Sequence, residues 1–198
     1  MSPKVLVTYA TLSGSTAEVA EAIGETLGQE GAGVDVCPIK DVGDLSAYRA
    51  VLVGGPMLMG WHKEAKRFLR KHQSALSQMP VAYFITALNL TKTSQDSVSG
   101  VPIYYDPRLP KAPADPEKLS FKENYATPAR YLTPVLKRAS KVKPVCVGFF
   151  GGKLDYGTLN ILHMLFVMLI IGARPGDHRN WEAIRAWAAG LRPALLGE

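Results

Sequence analysis

Residues Thr11, Leu12, Ser13, Gly14, Ser15 and Thr16 combine four hydroxyl side chains with one glycine, directly after a compact apolar run. That combination is suited to binding an anion with neutral donors. A helix that starts here leaves about four backbone N–H groups without intrahelical partners and carries a partial positive charge at its start. Thr11, Ser13, Ser15 and Thr16 can each donate a further hydrogen bond, and Gly14 permits tight curvature. No lysine follows the glycine, so this is not a P-loop, and the Gly-x-Gly-x-x-Gly spacing of a dinucleotide turn is missing. The pattern suits a terminal phosphate monoester. The plainer reading is a Ser/Thr-capped turn between strand and helix.

The elements around this loop alternate between β-type runs and helical patterns. A strand over 4–9 precedes it, and a helix over 15–29 follows, with Val19, Ala20, Ile23 and Leu27 repeating at helical spacing. Further strands are predicted over 34–39, 50–54, 81–87 and 145–150. Helices are predicted over 61–76, with Ala65, Phe68, Leu69 and Leu76 on one face, and over 181–191. Strands apolar on both faces that alternate with helices indicate a parallel sheet covered on both sides. The expected architecture is a doubly wound α/β sandwich in a single domain over 1–198. Residues 90–124 break the rhythm with Pro102, Pro107, Pro110, Pro113 and Pro116. An insertion this long, leaving the sheet edge where ligands bind, reads either as a mobile surface excursion or as a lid.

Composition narrows the function classes. With 47% hydrophobic and 20% charged residues in 198, the chain is neither disordered nor fibrous. Cys37 and Cys146 are too few for a disulfide scaffold or a four-cysteine zinc site, and read as buried thiols. His62, His72, His163 and His178 lack the short paired spacings of metal motifs, so no metal is expected. No nucleophile elbow is present. Tyr9 and Ala10 stand at the end of the first strand, where a receiver-type phosphorylation domain needs acids.

The net charge is +6, but residues 1–50 hold 3 Lys/Arg and 7 Asp/Glu whereas the rest hold 20 and 10. An acidic partner follows from that asymmetry. The helix over 61–76 carries Lys63, Lys66, Arg67, Arg70 and Lys71 against Glu64 alone. This reads either as a solvated face or as a surface for acidic groups. Nucleic acid is not expected, because no aromatic-interleaved basic strand accompanies the charge. The apolar stretch over 161–173 falls short of the ~20 residues that span a bilayer, and the opening residues do not form a signal peptide. The expected place is the cytoplasm, free or peripheral at the inner face of the membrane.

The loop over 11–16 resembles the flavodoxin fingerprint (T/S)-x-T-G-x-T, with Ser13 replacing one threonine by another hydroxyl. The resemblance implies FMN as cofactor, with its phosphate in this loop, and a five-stranded parallel sheet of order 2-1-3-4-5. Two later loops would flank the flavin ring: Pro56, Met57, Leu58, Met59, Gly60 and Trp61, then Leu88, Asn89 and Leu90. Trp61, Met57 and Met59 offer flat or polarisable surfaces for a ring, or pack the core at the strand end.

The segments GGPMLMGWHKEAKRFLRKH, SQMPVAYFITALNL and VCVGFFGGKLDYG resemble the quinone-dependent protoporphyrinogen IX dehydrogenases. Met79-Pro80, Asn89-Leu90, the Tyr-containing insertion around 156–172 and Asn180-Trp181 follow in that family's order. The Pro-rich stretch over 93–123 departs from the pattern. The resemblance implies oxidation of a porphyrinogen with electrons passed to a quinone. The basic helix would attract propionates or an anionic membrane surface, and residues 159–171, flanked by Lys153 and Arg174, either complete the core or meet a quinone or bilayer interface. Asp177, Arg179 and Asn180 either orient a substrate or cap the last helix. No catalytic residue is identified. The alternatives are a flavodoxin-like NAD(P)H:quinone or nitroaromatic reductase, and an electron-transfer flavodoxin, which the positive charge disfavours.

Overall fold

The computed structural model describes residues 4–29, 31–58, 60–155, 157 and 175–197. Met59, Tyr156, Arg174 and the apolar segment over 159–171 lie outside the described residues. In chain order the strands are β1 (Lys4–Tyr9), β2 (Val34–Pro38), β3 (Tyr48–Pro56), β4 (Val81–Ala87), β5 (Leu90–Thr91), β6 (Ser97–Val98), β7 (Val101–Tyr105), β8 (Pro110–Lys111), β9 (Cys146–Gly151), β10 (Lys153–Leu154) and β11 (Gly176–Asp177). The helices are α1 (Ser15–Gly28), α2 (Lys63–Lys71), α3 (Gln73–Leu76), α4 (Phe121–Tyr125), α5 (Pro128–Arg138) and α6 (Trp181–Leu196).

The central sheet has the order β2-β1-β3-β4-β9-β7-β6. Its first five strands are parallel and follow the expected order. Every residue of β4 is buried, because its odd positions join the core on one face and Ala82 and Phe84 join the core on the other. Helices α2, α3 and α5 cover the first face, and α1 and α6 the second. The Phe84 ring of β4 lies over Gly54 of β3, where a Cβ would stand 2.0 Å from it.

The sheet is larger than the five strands expected. The Pro-rich insertion is neither a plain loop nor a lid throughout: β7 joins β9 in parallel, and β6 folds back on β7 antiparallel. The cause is aromatic packing. Tyr104 lies 6.0 Å from Phe150 and Tyr105 lies 5.9 Å from Phe149, ring to ring. Pro102 is the second residue of β7 and Pro110 the first of β8, while Pro107, Pro113 and Pro116 lie outside the strands. No proline falls inside the five parallel strands of the sheet's centre except Pro38 and Pro56, at strand ends.

Helix boundaries differ where local signals compete. The helix expected over 61–76 starts only at Lys63, capped by His62 Nδ1, which accepts from the Glu64 N–H. It breaks at His72, whose φ of −103° and ψ of 13° leave the helical range. The last helix runs past 191 and through Pro193 to Leu196, because Leu195 and Leu196 are still buried and Arg192 donates to the Leu27 carbonyl at 2.6 Å. Sequence reasoning missed α5, although Thr127 caps it, Pro128 opens it, and Tyr131, Leu132 and Val135 share its buried side. A parallel β4–β9 connection requires such a crossover helix.

Asp106, at the end of the insertion's strand, is fully buried. Its Oδ1 accepts from Asn180 Nδ2 at 2.9 Å and from the Arg108 N–H at 3.0 Å, while its own N–H donates to Phe149 O at 2.8 Å. Asn180 in turn caps α6, accepting from the Ala183 N–H. One carboxylate thereby ties the insertion, β9 and α6 together. Asp106→Ala should lower stability by about 3 kcal/mol, because it strands a buried amide and a backbone N–H. Urea unfolding of the two proteins tests this, and a change under ~1 kcal/mol would remove Asp106 from that role.

Candidate functional site

Because β1, β3, β4 and β9 run parallel, their following loops emerge at one edge of the sheet. They enclose a mostly apolar cleft lined by Leu12, Ser13, Ser15 and Thr16 from the first loop, and Pro56, Met57 and Leu58 from the second. Thr86, Ala87 and Leu88 from the third complete it with Gly152, Lys153 and Leu154 from the fourth.

The first loop is shaped by its own backbone. Gly14 stands at the start of α1 with φ +85°, and a Cβ there would meet nothing within 4 Å, so the requirement for glycine is conformational rather than steric. Its N–H donates to Thr11 Oγ1 at 2.9 Å, and its carbonyl accepts from Ala17 at 2.9 Å. Thr11 therefore holds the loop's curve and does not line the cleft. The N–H groups of Ser15 and Thr16, in the first helical turn, have no intrahelical acceptor and remain available to an anion. Thr16 is buried, and its hydroxyl lies 3.0 Å from Thr86 Oγ1, joining the first loop to the end of β4.

The second loop doubles back on itself. Met57 and Trp61 form an antiparallel bridge, Leu58 N–H donates to Gly60 O at 3.2 Å, and Gly60 adopts φ +102°. Met57 N–H also donates to Thr86 O at 2.8 Å, which fixes this loop against the third. Trp61 is only 2% exposed; its Nε1 donates to Gly55 O at 3.0 Å and its ring lies 5.5 Å from that of Tyr83. Trp61 and Gly60 thus stand behind the loop while Pro56, Met57 and Leu58 face the cleft. In the third loop Leu88 lines the cleft, whereas Leu90 is fully buried and pairs through β5 with β8. Asn89 contributes its carbonyl to the Tyr131 hydroxyl at 3.3 Å.

The fourth loop was missed in the sequence, where the only signal was its place after the last long strand. Gly152 N–H donates to Ala87 O at 3.0 Å, setting this loop beside the third. Strand β10 pairs with β11, Lys153 opposite Asp177. Asp177 accepts from Arg179 at 2.8 and 2.6 Å, and Arg179 also forms a 2.8 Å ion pair with Glu18 in the first turn of α1. The hydrogen bond from Arg179 holds the Asp177 carboxyl below the usual aspartate range. The guanidinium lies over the Trp181 ring at 4.5 Å, and the Arg179 side chain is 4% exposed. Of the two readings for these residues, Asn180 caps the helix, while Asp177 and Arg179 brace the cleft.

Hydroxyls and free helical N–H groups at one end, with apolar walls elsewhere, fit a ligand that joins a phosphate to a flat apolar body. A family model described as a flavodoxin domain matches residues 6–180. The chain belongs to the flavodoxin family. Two solved structures share the flavodoxin fold over nearly the whole chain. An archaeal flavodoxin has TM-score 0.52 and 13% identity, covering 98% of this chain and 99% of that one. An oxidoreductase from Corynebacterium diphtheriae has TM-score 0.51 and 16% identity, covering 100% of both. Among curated proteins, the protoporphyrinogen IX dehydrogenase [quinone] of Leishmania major is 28% identical, over 95% of this chain and 74% of that protein. The chain is a flavodoxin-like flavoprotein of the oxidoreductase class, and FMN is the cofactor its cleft fits.

Among the described residues no cluster suited to a metal occurs. Cys37 and Cys146 are free thiols, only half-buried.

Arg179 neutralises Glu18 in the first turn of α1, next to the hydroxyl-rich turn. Arg179→Met should weaken FMN binding several-fold, and Glu18→Gln in the same background should restore most of it, as read by flavin fluorescence quenching. A loss that Glu18→Gln does not repair would make Arg179 a packing residue only. Tyr83, beneath the second loop, carries a buried hydroxyl with no hydrogen-bond partner among the described residues, and burial pushes its ionisation well above the usual tyrosine range. Tyr83→Phe should therefore be neutral or stabilising by about 1 kcal/mol in urea unfolding.

Proposed function

We propose that this flavoprotein oxidises protoporphyrinogen IX and passes the electrons to a quinone. The observation that carries the reading is the similarity to the Leishmania major dehydrogenase, because it extends over 95% of the chain and so takes in the insertion as well as the cofactor loops. Bound FMN would supply the two-electron redox chemistry, accepting hydride from the macrocycle. Each turn removes two electrons and two protons from the porphyrinogen and returns them to the quinone as quinol.

The chain's own residues bind and orient. Ser13, Ser15 and Thr16 hold the phosphate with hydroxyls and helical N–H groups, while Gly14 supplies the turn. Leu12, Pro56, Met57, Leu58 and Leu88 wall off the ring and exclude water, and Lys153 brings a cation to the cleft wall. Thr11, Gly60, Trp61, Asn89 and Leu90 support these loops from behind. A hydrophobic quinone resides in lipid, so the reading includes peripheral contact with an anionic membrane surface, which the +6 charge favours. No helix among the described residues is long and apolar enough to cross a membrane.

The test is an anaerobic assay of FMN-loaded protein with protoporphyrinogen IX and menadione, following porphyrin fluorescence. Fluorescence should grow only when quinone is present. If no quinone supports it while NADPH rapidly bleaches the flavin, the protein is a reductase instead.

A further inference from the structure

The cationic side chains of α2 are not scattered. Lys63, Lys66, Arg67 and Arg70 fall at i, i+3, i+4 and i+7, which places them on one side of the helix, away from the buried Ala65, Phe68 and Leu69. Helix α5 lies alongside and adds Arg138 from its last turn, so that the five cations line a single hollow with no acidic residue among them. Among the described residues none of the five forms an ion pair; the ion pairs found use Lys4 and Arg179.

This arrangement opposes helix stability. Like charges four apart repel each other, and Lys63 and Lys66 sit at the positive end of the α2 dipole. A hollow lined by one sign of charge concentrates counter-ions of the other sign. Three of its five cations are arginines, whose planar forks pair with two oxygens of a carboxylate or phosphate at once. The hollow is also close to the cleft: Lys66 Nζ lies 3.9 Å from where a Cβ on Gly60 would stand, and Gly60 belongs to the loop that walls the cofactor site.

We propose that the hollow between α2 and α5 is a binding subsite for a small molecule with two or more oxyanion groups, carboxylates or phosphates, presented at the edge of the second cleft loop. The inference stands on the charge pattern and does not require the porphyrinogen reading.

Inorganic pyrophosphate is the first probe, titrated by calorimetry into FMN-loaded protein at low ionic strength. Wild type should bind it with an affinity that falls as salt rises. The variant Lys66→Gln/Arg67→Gln/Arg138→Gln should bind at least about tenfold more weakly. Its FMN affinity should be unchanged, because none of the three lines the cleft, and this also reports that it is folded. A control of equal charge change, Lys40→Gln/Lys92→Gln/Lys111→Gln, should shift pyrophosphate binding by less than about twofold. No binding by wild type, or equal losses in the two variants, would overturn the subsite.

Two further arms separate the sources of the anion. Binding of mesoporphyrin IX, but not of its dimethyl ester, that is lost in the first variant assigns the hollow to carboxylates. Preference for 2′,5′-ADP, lost in the same variant, assigns it to phosphates. Failure of the porphyrinogen assay alone would leave the pyrophosphate result standing, so the two proposals fail separately.

Discussion

The cleft depends on one constraint, the register of four parallel strands at their carboxyl ends. Tyr9 pairs with Gly54, Pro56 with Thr86, and Ala87 with Gly151, so each strand hands its chain to a loop at nearly the same height. Side chains that meet at the site come from positions far apart in sequence. The Thr16–Thr86 hydroxyl contact closes this arrangement from within. It joins the first turn of α1 to the end of β4, so the hydroxyl-rich turn cannot drift from the apolar walls of the cleft. The backbone bonds from Met57 to Thr86 and from Gly152 to Ala87 do the same for the second and fourth loops.

Outside that inner ring, charge and burial hold the cleft from behind. Arg179 spans from the first turn of α1 to the β10–β11 pair, joining two acids that would otherwise leave unbalanced negative charge beside the hydroxyl-rich turn. Asp106 performs a related task deeper in the protein, where a buried carboxylate is acceptable because every described contact to it comes from a donor. In both cases a residue with no part in lining the cleft determines where the lining stands.

The parts of this fold that could be read in the sequence are those whose information is local. The hydroxyl-rich turn and the alternating strands follow from short patterns that mean nearly the same thing in any context, whereas the order of the sheet comes only with the family resemblance. Trp61 and Leu90 could not be settled in that way. A tryptophan after a strand is equally good as a ligand platform or as a core residue, and only the Gly55 carbonyl and the Tyr83 ring decide between them. Helix α5 was hidden behind a proline-rich neighbourhood and by Pro134 within the helix itself. The strand β7 was hidden because its partners Val147 to Phe149 lie over forty residues further along the chain. The fourth cleft loop carries no motif, and its importance comes wholly from the edge at which it emerges.

The insertion also changes what the sheet presents to other molecules. A five-stranded version would end at Cys146–Gly151, an apolar strand whose outer row of N–H and C=O groups would be open to pairing with another chain. Here β7 occupies that row, and the outermost strand becomes β6, only two residues long. Strand β6 covers Val101 and Pro102, and the edge left beyond it is the short end of β7. The long apolar edge of β9 is thereby replaced by a shorter template for strand addition, independent of any part the insertion plays at the cleft.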